Sequence, residues 1–291
     1  MLRRHLLRLA PAPLFPSAIL SQLRASAKPK ILYFTRSAGF VHSVVARDGN
    51  SLSHSEKIMV ELGQRDGYDV HCTRDGRVFD GDLDQFAAIA FYTSGDLTQP
   101  AKDGSPPMSS AGKRRLLDCI AAGKGFIGFH SATDTFHSKG PRDQIQADPD
   151  PYIAMLGGEF TSHGAQQEAS LHAVSHFFYK NVGVPAEGLS FTEEWYAGKN
   201  FAKDLHVILL QETKFMQGDI YRRPDFPQTW VRLHGAGRVF YTSLGHREDV
   251  WTNPLFQAVA QAGIAWVMKK FDYDITPNIH QVAPGANTLQ S

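Results

Sequence analysis

The chain has 291 residues, 42% of them hydrophobic and 20% charged, a mixture that suits a soluble globular fold and excludes intrinsic disorder. Thirty basic residues against 29 acidic ones leave a net charge of +1, too even for a nucleic-acid binder steered by its whole field. No run approaches the ~18 consecutive apolar residues of a membrane span, and two cysteines, Cys72 and Cys119, exclude a disulfide scaffold.

Residues 1–27 carry Arg3, Arg4, Arg8 and Arg24 and no acid, with a mildly apolar run over 9–23 that ends at Ala25-Ser26-Ala27. Basic start, apolar stretch and small-residue cut predict a secretory leader, and Arg3-Arg4-His5-Leu6-Leu7 resembles a twin-arginine signal. The expected location is exported, in the periplasm. The alternatives are a mitochondrial-type presequence and a cytoplasmic protein with an extended start. The folded domain is then expected over 28–270, with an aperiodic tail over 271–291.

Within that domain, 31–35 (ILYFT) reads as a strand buried on both faces. A helix is predicted over 51–65 with Gly67 behind it, then strands at 68–73 and 87–93 (AAIAFYT). Ser109 or Ser110 caps a second helix that ends before Gly123, and 125–130 (GFIGFH) is the next strand. This alternation predicts an α/β fold with a mostly parallel sheet. Later runs at 205–211, 229–233 and 238–243 (RVFYTS) read as strands, the last two forming an antiparallel hairpin about 234–237. Asn253-Pro254 starts a helix with Leu255, Val259, Ala262 and Trp266 inward.

Ligands of open α/β sheets bind beyond the carboxyl ends of the strands. Three of the loops there carry a histidine: His42, His130 followed by Ser131 and Asp134, and His246 followed by Arg247. They predict a polar pocket with imidazoles at its centre.

Four ordered blocks carry a family resemblance: GFIGFHSATDTF (125–136), LGGEFTSHGAQQ (156–167), EEWY (193–196) and GRVFYTSLGHREDVWTNPLF (237–256). Together with Phe40-Val41-His42, they resemble the ThuA, or trehalose-utilisation-like, family of the class I glutamine amidotransferase-like superfamily. The resemblance implies a flavodoxin-like three-layer sandwich. It also implies sugar chemistry, on trehalose-like disaccharides, with a functional link to sugar oxidoreductases that make 3-keto sugars.

The residues limit that chemistry. Amidotransferases of this superfamily place a cysteine at the elbow after the strand corresponding to 125–130, where this chain has Phe129-His130-Ser131. Glutamine hydrolysis is therefore not expected, and Ser131 lacks the G-x-S-x-G spacing of a hydrolase nucleophile. His130 is the expected central acid or base, with His246 and the carboxylate of Glu194 as catalytic partners. His42, Ser131, Asp134, His163, Trp195, Tyr196 and Arg247 are expected to bind substrate, with Trp251 as a further stacking ring. Adjacent strand residues point to opposite faces, so only one of Glu193 and Glu194 should reach the pocket. His137 is expected at the surface.

A divalent metal such as zinc is expected, if at all, on His42, His130 and His246 with Glu194 as an oxygen ligand. His172 and His176 lack the glutamate of HExxH. No glycine loop has nucleotide-binding spacing, so no nucleotide cofactor is expected. Two functions stay open: an enzyme that cleaves or rearranges a glycoside or its 3-keto derivative, and a non-catalytic carbohydrate-binding or partner protein.

Overall fold

Eleven strands are found in the computed structural model, which describes residues 28–176, 185 and 188–289; the leader read at 1–27 lies outside the described residues. They are β1 (Lys30–Phe34), β2 (Asp69–Thr73), β3 (Ala88–Phe91), β4 (Gly125–Phe129), β5 (Glu159–His163) and β6 (Gln167–Ala173). After these come β7 (Leu189–Glu193), β8 (Tyr196–Lys199), β9 (His206–Gln211), β10 (Phe226–His234) and β11 (Gly237–Thr242). Nine form one sheet in the order β2-β1-β3-β4-β11-β10-β9-β6-β7. The first five are parallel, as expected. The hairpin β10–β11 turns the sheet antiparallel, and β9, β6 and β7 continue that sense to the far edge. The antiparallel part is therefore larger than the single hairpin read from the sequence. β5 and β8 pair separately as a small antiparallel sheet.

The inner parallel strands β1, β3 and β4 are apolar because helices cover both faces, whereas the edge strand β2 is partly exposed. On β4, Phe129 meets Phe256 of the helix Pro254–Val267, while Phe126 meets Tyr152 of the helix Pro151–Leu156 on the opposite side. The result is a three-layer sandwich. Its helices start at residues whose side chains cap the first turn. Ser53 accepts from Glu56 N, and the Glu56 carboxylate accepts from Ser53 N at 2.8 Å, a reciprocal cap on the helix His54–Asp66 worth about 1 kcal/mol. Ser109 caps Ser110–Ala121, and Asn253 accepts from Leu255 N at the head of Pro254–Val267.

The segment after Phe271 is irregular apart from the short helix Ile279–Val282, but it is docked. Asn278 Oδ1 accepts from Val207 N at 2.6 Å, and Asn287 exchanges hydrogen bonds with the backbone of Phe201. Ile279, Ala283 and Ala286 are buried by this return. Among the described residues no helix is long and apolar enough to cross a membrane.

Candidate active site

Sheet order brings the histidine loops together. β1, β3, β4 and β11 are parallel neighbours, so the residues after β1, β4 and β11 emerge at one edge. His130 follows β4 directly with φ of +39°, in the left-handed region that few non-glycine residues adopt. This elbow turns the chain into the 3₁₀ turn His130–Asp134 and leaves the imidazole fully buried. His130 Nδ1–H donates to Ser243 O at 2.6 Å, which directs the Nε2 lone pair towards the other loops.

β11 leads into Ser243-Leu244-Gly245-His246. Gly245 has φ of +111°, and a Cβ built there would stand 3.1 Å from Trp251 Nε1, so a side chain would be strained by the backbone and crowded by the indole. His246 Nδ1 lies 3.3 Å from His130 Nε2 and 3.1 Å from Glu194 Oε2. His42, buried beyond β1, puts Nε2 4.0 Å from the same carboxylate oxygen, and His130 Nε2 stands 3.6 Å from it. One ligand atom from each of His42, His130, Glu194 and His246 lies within 4.8 Å of the others. The three imidazoles meet edge to face, with centroids 5.0–5.2 Å apart.

Protonation follows from this crowding. Burial, with His130 and His246 alongside, pushes His42 down to about 2, so its ring is neutral with a lone pair available. Burial works to raise Glu194, but hydrogen bonds and charge from His130 and His246 outweigh it and hold the carboxyl well below the usual range. Tyr196 sits against the His130 ring at 4.0 Å, with its hydroxyl 3.2 Å from His42 Nε2. Burial pushes this phenol far above its ordinary value, so it keeps its proton.

The donor set of three imidazole nitrogens and one ionised carboxylate fits a zinc-like divalent ion. The Ser243 carbonyl behind His130 supplies the outer hydrogen bond that such ligands use. His42 Nδ1 is buried with no hydrogen-bond partner among the described residues.

The trehalose-utilisation family, ThuA, matches residues 30–267. The chain belongs to the ThuA family. A ThuA-like protein from Bacteroides uniformis shares its fold at a TM-score of 0.61 and 19% identity, over 84% of this chain and 93% of that one. A second, from Parabacteroides merdae, aligns at a TM-score of 0.56 and 16% identity, over 85% and 92%. No curated protein matches by sequence.

In this ThuA-family chain the remaining expected residues divide into rim, interior and elsewhere. His163 and Arg247 lie on the rim. His163 Nδ1 stands 3.4 Å from Glu194 Oε1, and Arg247 donates to Gln166 Oε1 at 2.8 Å and pairs with Asp249. Ser131, the residue after the elbow, is buried, and its hydroxyl has no hydrogen-bond partner among the described residues. Trp195 is only 1% exposed and donates its indole N–H to Gln167 O, so it is core and not a sugar platform. Trp251 is likewise interior, holding Gly245 O from beneath the loop. Asp134 faces away from the centre and pairs with His137 at 2.6 Å. His137 is half-buried rather than free in solvent: Asp134 on one side and the buried Glu159 on the other pair with its two ring nitrogens. Arg36 is buried and donates to the carbonyls of Leu97 and Gln99.

The sequence reading missed Glu193. It is fully buried, and its Oε1 accepts from Gly245 N at 2.7 Å and His246 N at 2.9 Å, while Oε2 accepts from Glu194 N at 2.9 Å. One carboxylate thereby ties the His246 loop to the Glu194 backbone. The acid beside Glu194 was the only signal for it. Both cysteines are remote from chemistry: burial pushes Cys72 up to about 12 and Cys119 up to about 11.

Proposed function

We propose that this ThuA-family chain acts on a disaccharide or glycoside, or its 3-keto derivative, at a divalent-metal centre held by His42, His130, Glu194 and His246. The observation that carries the reading is the convergence of these four donors at the carboxyl edge of the parallel strands. An ion bound there supplies Lewis acidity, polarising a sugar carbonyl or lowering the pKa of water.

The protein's own groups supply proton transfer. With three imidazoles engaged as ligands, the acid–base role first read for His130 passes to His163. Its Nδ1–H donates to Gly164 O at 2.9 Å, leaving Nε2 as the proton acceptor. In a 3-keto sugar the ketone acidifies the neighbouring C–H. His163 Nε2 takes that proton, the electron pair forms the C=C bond, and the glycosidic C–O bond breaks. His163 Nε2 then hands that proton to the departing oxygen, while Tyr196 keeps its own. Glu194 Oε2, 3.1 Å from His246 Nδ1, would share the ion with that ring. Such a reaction consumes the product of a sugar oxidoreductase.

Elemental analysis of the protein expressed from residue 28, beside H130A and H246A, tests the centre. About one metal per chain in the wild type, lost in both variants together with turnover of 3-keto disaccharides, is the expected result. Unchanged kinetics in H130A and H246A would overturn it.

A further inference from the structure

We infer that Phe40 is a rigid stacking platform for the apolar face of the sugar ring and sets how that ring lies over the His42–Glu194 centre. The inference rests on the sugar reading above. Phe40 is 65% exposed, yet its ring meets the His42 ring edge to face at 4.9 Å, so it stands at the mouth of the centre. Val41, also exposed, extends the apolar lip. Phe215, Ile145 and Leu233, the other exposed large apolar residues described, stand singly along the chain.

The loop is held, so this exposure is built in. Ser94 Oγ donates to Phe40 O at 2.6 Å, and Ala38 N and Gly39 N both donate to Ser94 O, at 2.9 and 3.1 Å. A Cβ on Gly39 would stand 3.2 Å from Gly95 N, which leaves the two loops no slack. Around the centre the rest of the rim is polar, with His163, Gln166 and Arg247. A pyranose has one face of C–H groups and an edge of hydroxyls. A flat apolar ring beside a rim of donors and acceptors matches both.

The four native tryptophans, Trp195, Trp230, Trp251 and Trp266, are all buried. Phe40→Trp therefore adds a solvent-facing indole that reports on the mouth alone. Titration of F40W with trehalose and maltose should shift its emission to the blue and shield it from acrylamide. By calorimetry, Phe40→Ala should bind these sugars roughly three- to tenfold more weakly than the wild type, with metal content kept. Phe40→Leu keeps apolar cover over His42 but lacks a flat face, and should behave as F40A does. Equal binding by wild type, F40A and F40L, with F40W emission unmoved, overturns the platform and leaves the sugar reading standing. Wild-type protein that binds neither sugar, nor their 3-keto forms, overturns the platform as well as that reading. Loss of an oligomer in F40A, with sugar affinity unchanged, overturns it in favour of a protein contact.

Discussion

Replacing Glu193 by glutamine tests whether one buried carboxylate holds two members of the centre in place. Three backbone N–H groups, those of Glu194, Gly245 and His246, end on its oxygens at 2.7–2.9 Å. In E193Q the amide oxygen can still accept from Gly245 and His246, but the NH₂ group faces Glu194 N donor to donor. One buried donor is then unpaired, a cost of about 1–3 kcal/mol. For a domain of this size that lowers Tm by roughly 2–4 °C per kcal/mol. E193A leaves all three donors unpaired and should cost on the order of 3–5 kcal/mol. The His246 loop is the part released, so metal affinity should fall by about 10–100-fold in E193Q, as for other outer-shell partners of a metal site. Thermal melts with and without zinc, together with metal competition titrations, measure both effects. E193Q with wild-type Tm and wild-type metal affinity would refute the reasoning.

Gly245→Ala forces a side chain onto Trp251 at a left-handed backbone, and should cost about 1–3 kcal/mol by chemical denaturation together with loss of bound metal. Glu159 is held down to about 2: burial opposes this, but hydrogen bonds from His137, Ser138 and Asn200 outweigh it. Its stabilisation is complete above the ordinary carboxylate pKa and is lost as pH falls from about 4 towards 2, on the order of 3 kcal/mol, so E159Q should flatten that limb of the stability–pH curve. His137 is raised: burial opposes, and Asp134 and Glu159 prevail. Its share is complete below about pH 6.5 and is lost as pH rises through the folded value, a limb that H137Q should remove. Cys72 and Cys119, with thiols at about 12 and about 11, should react slowly with iodoacetamide at pH 8, and the C72A/C119A protein should keep full turnover; rapid alkylation with loss of activity would contradict that.

Much of this architecture is local, and local signals are legible in sequence. The caps at Ser53, Ser109 and Asn253 act within three residues of themselves, and the doubly buried strands show as apolar runs. Because parallel strands expose their carboxyl ends at one edge, His42, His130 and His246 could be grouped before any coordinates. Alternation along a strand, by contrast, holds only while the strand lasts. β7 ends at Glu193 and β8 begins at Tyr196, so the chain changes sheets between them, and Glu193, Glu194 and Trp195 each take a direction that no period predicts. Glu193 turns to the His246 loop, Glu194 to the centre and Trp195 to the core. Asp134 and His137 meet Glu159 across a separation of 22 residues between His137 and Glu159, and the C-terminal segment docks through side-chain amides 71 and 86 residues from their partners. Sequence by itself determined which residues could hold a metal and which edge of the sheet would carry them, because both follow from residue chemistry and strand polarity. Tertiary structure alone decided which of them point inward and what holds them there, because buried hydrogen bonds between distant segments leave no periodic trace in the chain.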